Sequence, residues 1–109
     1  MNGELEELIN LLDETCRYLV EMKKSDFAEG GKNVINKCLA LFPKIIVSYS
    51  DPRMADISED ATYWPAQLER IINVLEGGDS FAAIDVLYNE TRENLKFISN
   101  EYAKRGIAL

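Results

Sequence analysis

The chain has 109 residues, 47% hydrophobic and 28% charged, the size and balance of one soluble globular domain over positions 1–109. Nineteen acidic against 12 basic residues give a net charge of -7; that field repels nucleic-acid phosphates and anionic lipid and favours a basic or amphipathic protein partner. Histidine is absent, which removes the commonest general base and the commonest metal ligand.

The first predicted helix runs from about Gly3 to Lys24. Leu5, Leu8, Ile9, Leu12, Cys16, Leu19 and Val20 recur at threes and fours on one face. Glu4, Glu6 and Glu7 open the helix and Lys23 and Lys24 close it, in the sense that suits the helix dipole. Leu11, Tyr18 and Met22 make a second stripe, displaced by about 100°. That stripe is either the edge facing a second neighbour in the bundle or a partner contact.

The second helix is predicted from Asp26, with Glu29 in a capping-box position, to about Ser48. Its stripe of Phe27, Val34, Cys38, Leu41 and Ile45, widened by Ile35, Leu39, Phe42 and Ile46, marks it as the most buried helix. Pro43 predicts a kink near Leu39 or an end near Phe42. Gly30 and Gly31 allow close backbone approach to a neighbour.

Ser50-Asp51-Pro52 is a turn signal, and the acidic, aperiodic stretch to Ala61 reads as one long connection. The third helix spans about Trp64 to Glu76, with Pro65 in its first turn and Gly77-Gly78 ending it. Asp79 caps the fourth, which runs to about Arg105 before Gly106. Its seam is Phe81, Ile84, Tyr88, Thr91, Leu95, Ile98 and Tyr102. No segment requires a strand. Four amphipathic helices with two tight turns and one longer connection predict an all-α, four-helix up-and-down bundle.

Chemical motifs are sparse. No apolar run nears the roughly 20 residues of a membrane span, and the acidic, heptad-like start is unlike a secretory signal, so a cytoplasmic protein is expected. Cys16 and Cys38 fall on apolar stripes and read as reduced core thiols. The Asp51–Asp60 stretch lacks the spacing of a calcium loop, and a carboxylate-bridged di-metal site in a bundle calls for histidines this chain lacks. Gly30-Gly31 and Gly77-Gly78 read as helix punctuation rather than phosphate loops. Asn89-Glu90-Thr91 matches a glycosylation tripeptide but lies mid-helix. The expectation is a chain that is not an enzyme and that has no catalytic residue, metal or cofactor.

Val86 and Phe97 lie nearly opposite the seam of the fourth helix, among Glu90, Glu93 and Glu101. They predict part of a protein-binding or self-association surface, a homodimer included, whose partner presents apolar side chains ringed by Lys or Arg. Leu11, Tyr18 and Met22 are the other candidate partner contacts. The alternative is a small-molecule-binding bundle or enzyme with an interior pocket near Tyr49, Trp64, Tyr88 and Tyr102.

The stretch Gly78-Asp79-Ser80-Phe81-Ala82-Ala83-Ile84-Asp85-Val86-Leu87, followed by Glu90 and Leu95, resembles a pattern in small uncharacterised bacterial all-helical proteins. The resemblance covers about the last third of the chain and implies a helical fold without an assigned activity. In size, acidity and helicity the chain is also similar to the small export chaperones of bacterial flagellar and type III secretion systems, a likeness of class alone.

Overall fold

A computed structural model describes residues 3–109. Helix α1 covers Gly3–Val20 and α2 Lys24–Ser48; a 3-10 connector covers Pro52–Thr62, and α3 covers Tyr63–Gly77. Helix α4 covers residues 80–105 in three continuous pieces: α-helical Ser80–Ile84, π-helical Asp85–Arg92 and α-helical Glu93–Arg105. No strand forms among the described residues.

Lateral contacts fix the topology. Lys44 reaches Glu4 and Lys37 reaches Glu7 between α1 and α2. Phe42 meets Trp64 between α2 and α3, Arg70 meets Glu90 between α3 and α4, and Asp13 meets Arg92 between α1 and α4. In the α1–α2 and α2–α3 pairs low numbers on one helix face high numbers on the next; likewise Tyr63 at the start of α3 bonds Asn94 in the second half of α4, and Val20 at the end of α1 shares a groove with Ile84 near the start of α4. The helices therefore run up, down, up and down around one core.

That core is made of the apolar faces read from the periodicity. Leu5, Leu8 and Leu12, then Val34, Cys38 and Ile45, then Ile71, then Leu95, Ile98 and Tyr102 are all fully buried. Burying each leucine or isoleucine side chain contributes about 1.5–3 kcal/mol. Gly30 and Gly31 let the helices approach closely: a Cβ on Gly30 would stand 2.7 Å from the Thr15 hydroxyl, and one on Gly31 would stand 3.1 Å from Leu75.

Four local expectations change. Helix α1 stops at Val20 because Met22 turns left-handed (φ 59), and the Lys23 and Met22 N–H groups then donate to the Tyr18 and Leu19 carbonyls. This is a Schellman closure with methionine where glycine is usual. Helix α2 begins at Lys24 with no side-chain cap, so Asp26 and Glu29 make no capping box. It also runs through Pro43 to the predicted end at Ser48, which removes the second of the two outcomes read for Pro43, an end near Phe42; Pro43 lies on the solvent side, where water can reach the backbone group it leaves unpaired.

The fourth change concerns the long connection, which is ordered. The Asp51 carboxylate accepts from the Arg53 backbone N–H at 2.8 Å and caps the 3-10 segment. The segment bends at Ile57, whose φ of -121° and ψ of 17° leave helical space. Arg53 donates to the Gly106 carbonyl at 2.8 Å. In return Arg105 donates to the Arg53 carbonyl at 2.6 Å and pairs with Asp56. Arg53 holds the Asp51 carboxyl down at about 2, and Arg105 likewise lowers Asp56. Among the described residues, no helix is long and apolar enough to cross a membrane.

Candidate functional site

The two ends of the bundle differ in what they leave open, and the difference originates in α4. From Thr91 onward the predicted seam holds, with Thr91, Leu95, Ile98 and Tyr102 fully buried. Before Thr91 it does not. Ala83, Val86 and Leu87 are buried, Ile84 is half-buried, and Phe81 and Tyr88 are 86% and 40% exposed. The wide turns of Asp85–Arg92 accommodate an extra residue, so the start of the helix is rotated by about one position, or roughly 100°.

Val86 is therefore not a surface residue. It points into the core because the π-helical turns carry it there, and it is withdrawn from the candidate partner contacts. Phe81 and Tyr88 are likewise withdrawn from the core seam.

A buried polar clasp sits at this register change. The Thr91 hydroxyl donates to the Val86 carbonyl, five residues back, at 2.7 Å. Gln67 of α3 is 2% exposed, and its amide nitrogen donates to the Thr91 hydroxyl at 2.8 Å and to Glu90 at 3.3 Å. Arg70 grips the Glu90 carboxylate through two nitrogens, at 3.1 and 2.8 Å. The Asn94 amide donates to the Glu90 carbonyl at 2.8 Å and to the Tyr63 hydroxyl at 3.0 Å. These bonds place partners where a regular ladder is disturbed, as buried polar groups require.

On the opposite flank, Arg92 spans from α4 to Asp13 of α1 and also pairs with Glu93 at 3.0 Å. Its guanidinium lies 4.8 Å from the centre of the Tyr88 ring, within cation–π range. Beside it lies a groove of about 350 Å³ between α1 and α4, lined by Asp13, Cys16, Arg17, Val20, Ile84 and Tyr88. Val20 is 75% exposed, so the groove opens onto an apolar lip. It is an apolar trough with Asp13 and Arg17 among its lining residues. Burial pushes the Cys16 thiol up to about 11 and the Cys38 thiol up to about 12, so both stay protonated and unreactive near neutrality.

The other predicted contacts are scattered. Phe97 is half-exposed and lines a shallow cleft with Tyr49, Asp60, Tyr63, Trp64 and Asn94. Leu11 is partly buried against the core. Tyr18 donates to Glu14, and Leu11 and Tyr18 share a notch with Glu14, Asp26, Glu29 and Asn33. Met22 is exposed in the α1–α2 turn. The structure brings Leu11 and Tyr18 together, and the notch shares no lining residue with the Phe97 cleft.

Of the aromatics of the alternative reading, Tyr49 and Trp64 share the shallow Phe97 cleft, whereas Tyr88 lines the α1–α4 groove and Tyr102 a separate cleft beside Glu6 and Ser99. Trp64 donates its indole N–H to the Tyr49 hydroxyl at 2.9 Å, the Tyr102 hydroxyl pairs with Ser48 at 2.6 Å, and Tyr88 is outside. Sequence reasoning missed the α1–α4 groove because it placed Phe81, Ile84 and Tyr88 in the core. The available signal was Thr91, a hydroxyl on an otherwise apolar seam. No protein-family model, curated protein or solved structure matches this chain.

Proposed function

We propose that this chain is a non-catalytic protein-interaction module, a cytoplasmic adaptor, regulator or secretion-type chaperone. Its docking face is the groove between α1 and the start of α4. The observation that carries the reading is the exposed stripe: Phe81, 86% exposed, continues at helical spacing into Ile84 and Tyr88, which wall the groove together with Val20. A large aromatic left in water beside an apolar trough is the arrangement by which an amphipathic partner helix is anchored. Asp13 and Arg17 of its lining, with Arg92 paired to Asp13 beside it, supply both signs of charge to orient it.

The test is quantitative capture from cell lysate with wild-type and Phe81→Ser proteins in parallel, partners identified by mass spectrometry, and light scattering on each purified protein. The expected result is a stoichiometric partner, or a second copy of the chain, that is lost in the variant while helicity and melting temperature stay unchanged. Equal capture by both proteins, or a monomer that captures nothing, would remove the reading. The pocket alternative is supported less well: Tyr49 and Trp64 line only the shallow Phe97 cleft of about 170 Å³, and Tyr49, Trp64 and Tyr102 bond to protein partners.

A further inference from the structure

The first part of α4 carries two apolar stripes one residue apart. Ala83, Val86 and Leu87 face inward, and Phe81, Ile84 and Tyr88 face outward or line the groove. Carrying the seam of Tyr102, Ile98, Leu95 and Thr91 backward at 3.6 residues per turn arrives close to Tyr88, Ile84 and Phe81. The outward stripe is therefore the one a regular α-helix would bury. The π-helical turns of Asp85–Arg92 select the other.

We propose that residues 80–92 are a two-register switch: a π form, seen here, that presents the apolar α1–α4 groove, and an all-α form in which the helix start rotates by about 100° and draws Ile84 and Tyr88 inward, removing its apolar wall. The proposal rests on the reading of that groove as the docking face and adds its regulation. Three features of the structure support it.

The groove is the space adjoining the rotation. Ile84 and Tyr88 already form its α4 wall, against Cys16 and Val20 of α1, so turning them toward the core by one residue puts polar Asp85 and Asn89 in their place and abolishes the apolar trough. The start of α4 also has a pivot: Gly77 and Gly78 have open space around them, and Gly78 sits at φ 74, where glycine turns at no steric cost. Finally, the π form is held by specific latches. The Thr91 hydroxyl and the Gln67 amide bond at the Val86 carbonyl and its surroundings, and Arg92 stands over the outward Tyr88 ring while paired to Asp13. A partner that binds only the apolar groove then shifts the population toward the π form by its differential affinity.

The experiment is backbone 15N relaxation dispersion on the full chain without partner, with Tyr88 exposure read by 19F NMR of fluorotyrosine-labelled protein. Wild type is expected to show exchange concentrated in the amides of residues 80–92, reporting a minor register in the range of roughly 0.1–10%. Deleting exposed Asn89 removes the extra residue and lets the segment become α-helical with Ala83, Val86 and Leu87 still inward. Exchange is then lost and Tyr88 stays exposed. Thr91→Val removes the hydroxyl latch and shifts Tyr88 toward the protected signal, whereas Thr91→Ser retains the wild-type signal.

Absence of exchange in wild type, or exchange that survives deletion of Asn89 in a folded protein, overturns the switch. So does a Tyr88 signal unmoved by Thr91→Val. Should the deletion variant not fold, the Thr91→Val and Thr91→Ser pair decides alone. Capture of a partner that depends on Phe81, without exchange, leaves the docking face standing and overturns the switch; exchange without any partner does the reverse.

Discussion

One end of this bundle is tied and the other is open, although both are built from the same four helices. At the tied end, Arg53 and Arg105 each donate to backbone carbonyls on the other's element, Trp64 bonds Tyr49, and Tyr102 bonds Ser48. The polar side chains named there end on protein atoms, while Val47 and Leu109 stay exposed beside them and line a groove of about 660 Å³ with Pro43 and Arg53. At the open end, Val20, Met22 and Phe81 stand in solvent, and α4 begins in a register that excludes its own largest apolar residues. The difference teaches that apolar content does not decide where a helix buries itself. Leu87 and Phe81 lie on one helix six residues apart, and the π-helical turns between Phe81 and Thr91 decide which of them the core receives.

The largest expected effect falls on the tied end. Trp64→Ala removes an indole packed edge-on against Phe42 and Tyr63 at 5.1 and 5.0 Å and should destabilise the fold by about 3–5 kcal/mol, measured by urea unfolding. The same end should respond to alkali. Burial pushes the Tyr63 and Tyr102 hydroxyls up to about 12, above the usual value near 10. Their contribution is then fully present below about pH 10 and lost as pH rises from there to about 12. Far-UV circular dichroism against pH should show helicity falling in that window, and constant helicity to pH 12 would contradict it.

At the open end the changes are smaller and of either sign. Met22→Gly relieves a left-handed methionine that buries little surface and should raise stability by about 1 kcal/mol; a loss would show that the Met22 side chain makes a contact of its own. Phe81→Ser should shift unfolding by less than about 0.5 kcal/mol. A cost approaching that of Trp64→Ala would abolish the distinction between the two ends.

The four helices were legible because their apolar residues recur at 3.6, and the turn glycines lie where the structure ends α3 and α4. Gly78 and Gly106 take left-handed conformations there, at φ 74 and 68. The ordering of the connector was not legible, since it depends on Arg105, 52 residues away from Arg53, and no local pattern encodes that pairing. The π segment misled for the opposite reason. Phe81, Ile84 and Tyr88 fit the helical period well, so periodicity alone favoured the wrong stripe and sent Val86 outward. Only the hydroxyl of Thr91, which bonds a carbonyl five residues back, marks the departure, and a threonine on a seam carries that meaning only when its partner is known. Phe97 was read correctly as exposed, since it lies past the π turns where the helix is regular again.

The reciprocal grip of Arg53 and Arg105 also sets the order in which the chain comes apart. Cooperative units that share many internal bonds open last. A bundle fastened through its connector should therefore fray from the α1–α2 and α3–α4 turns, with the amides near Met22 and Gly78 exchanging with deuterium first. The acidic connector, which by composition resembles the most protease-sensitive part of the chain, becomes one of its more resistant parts.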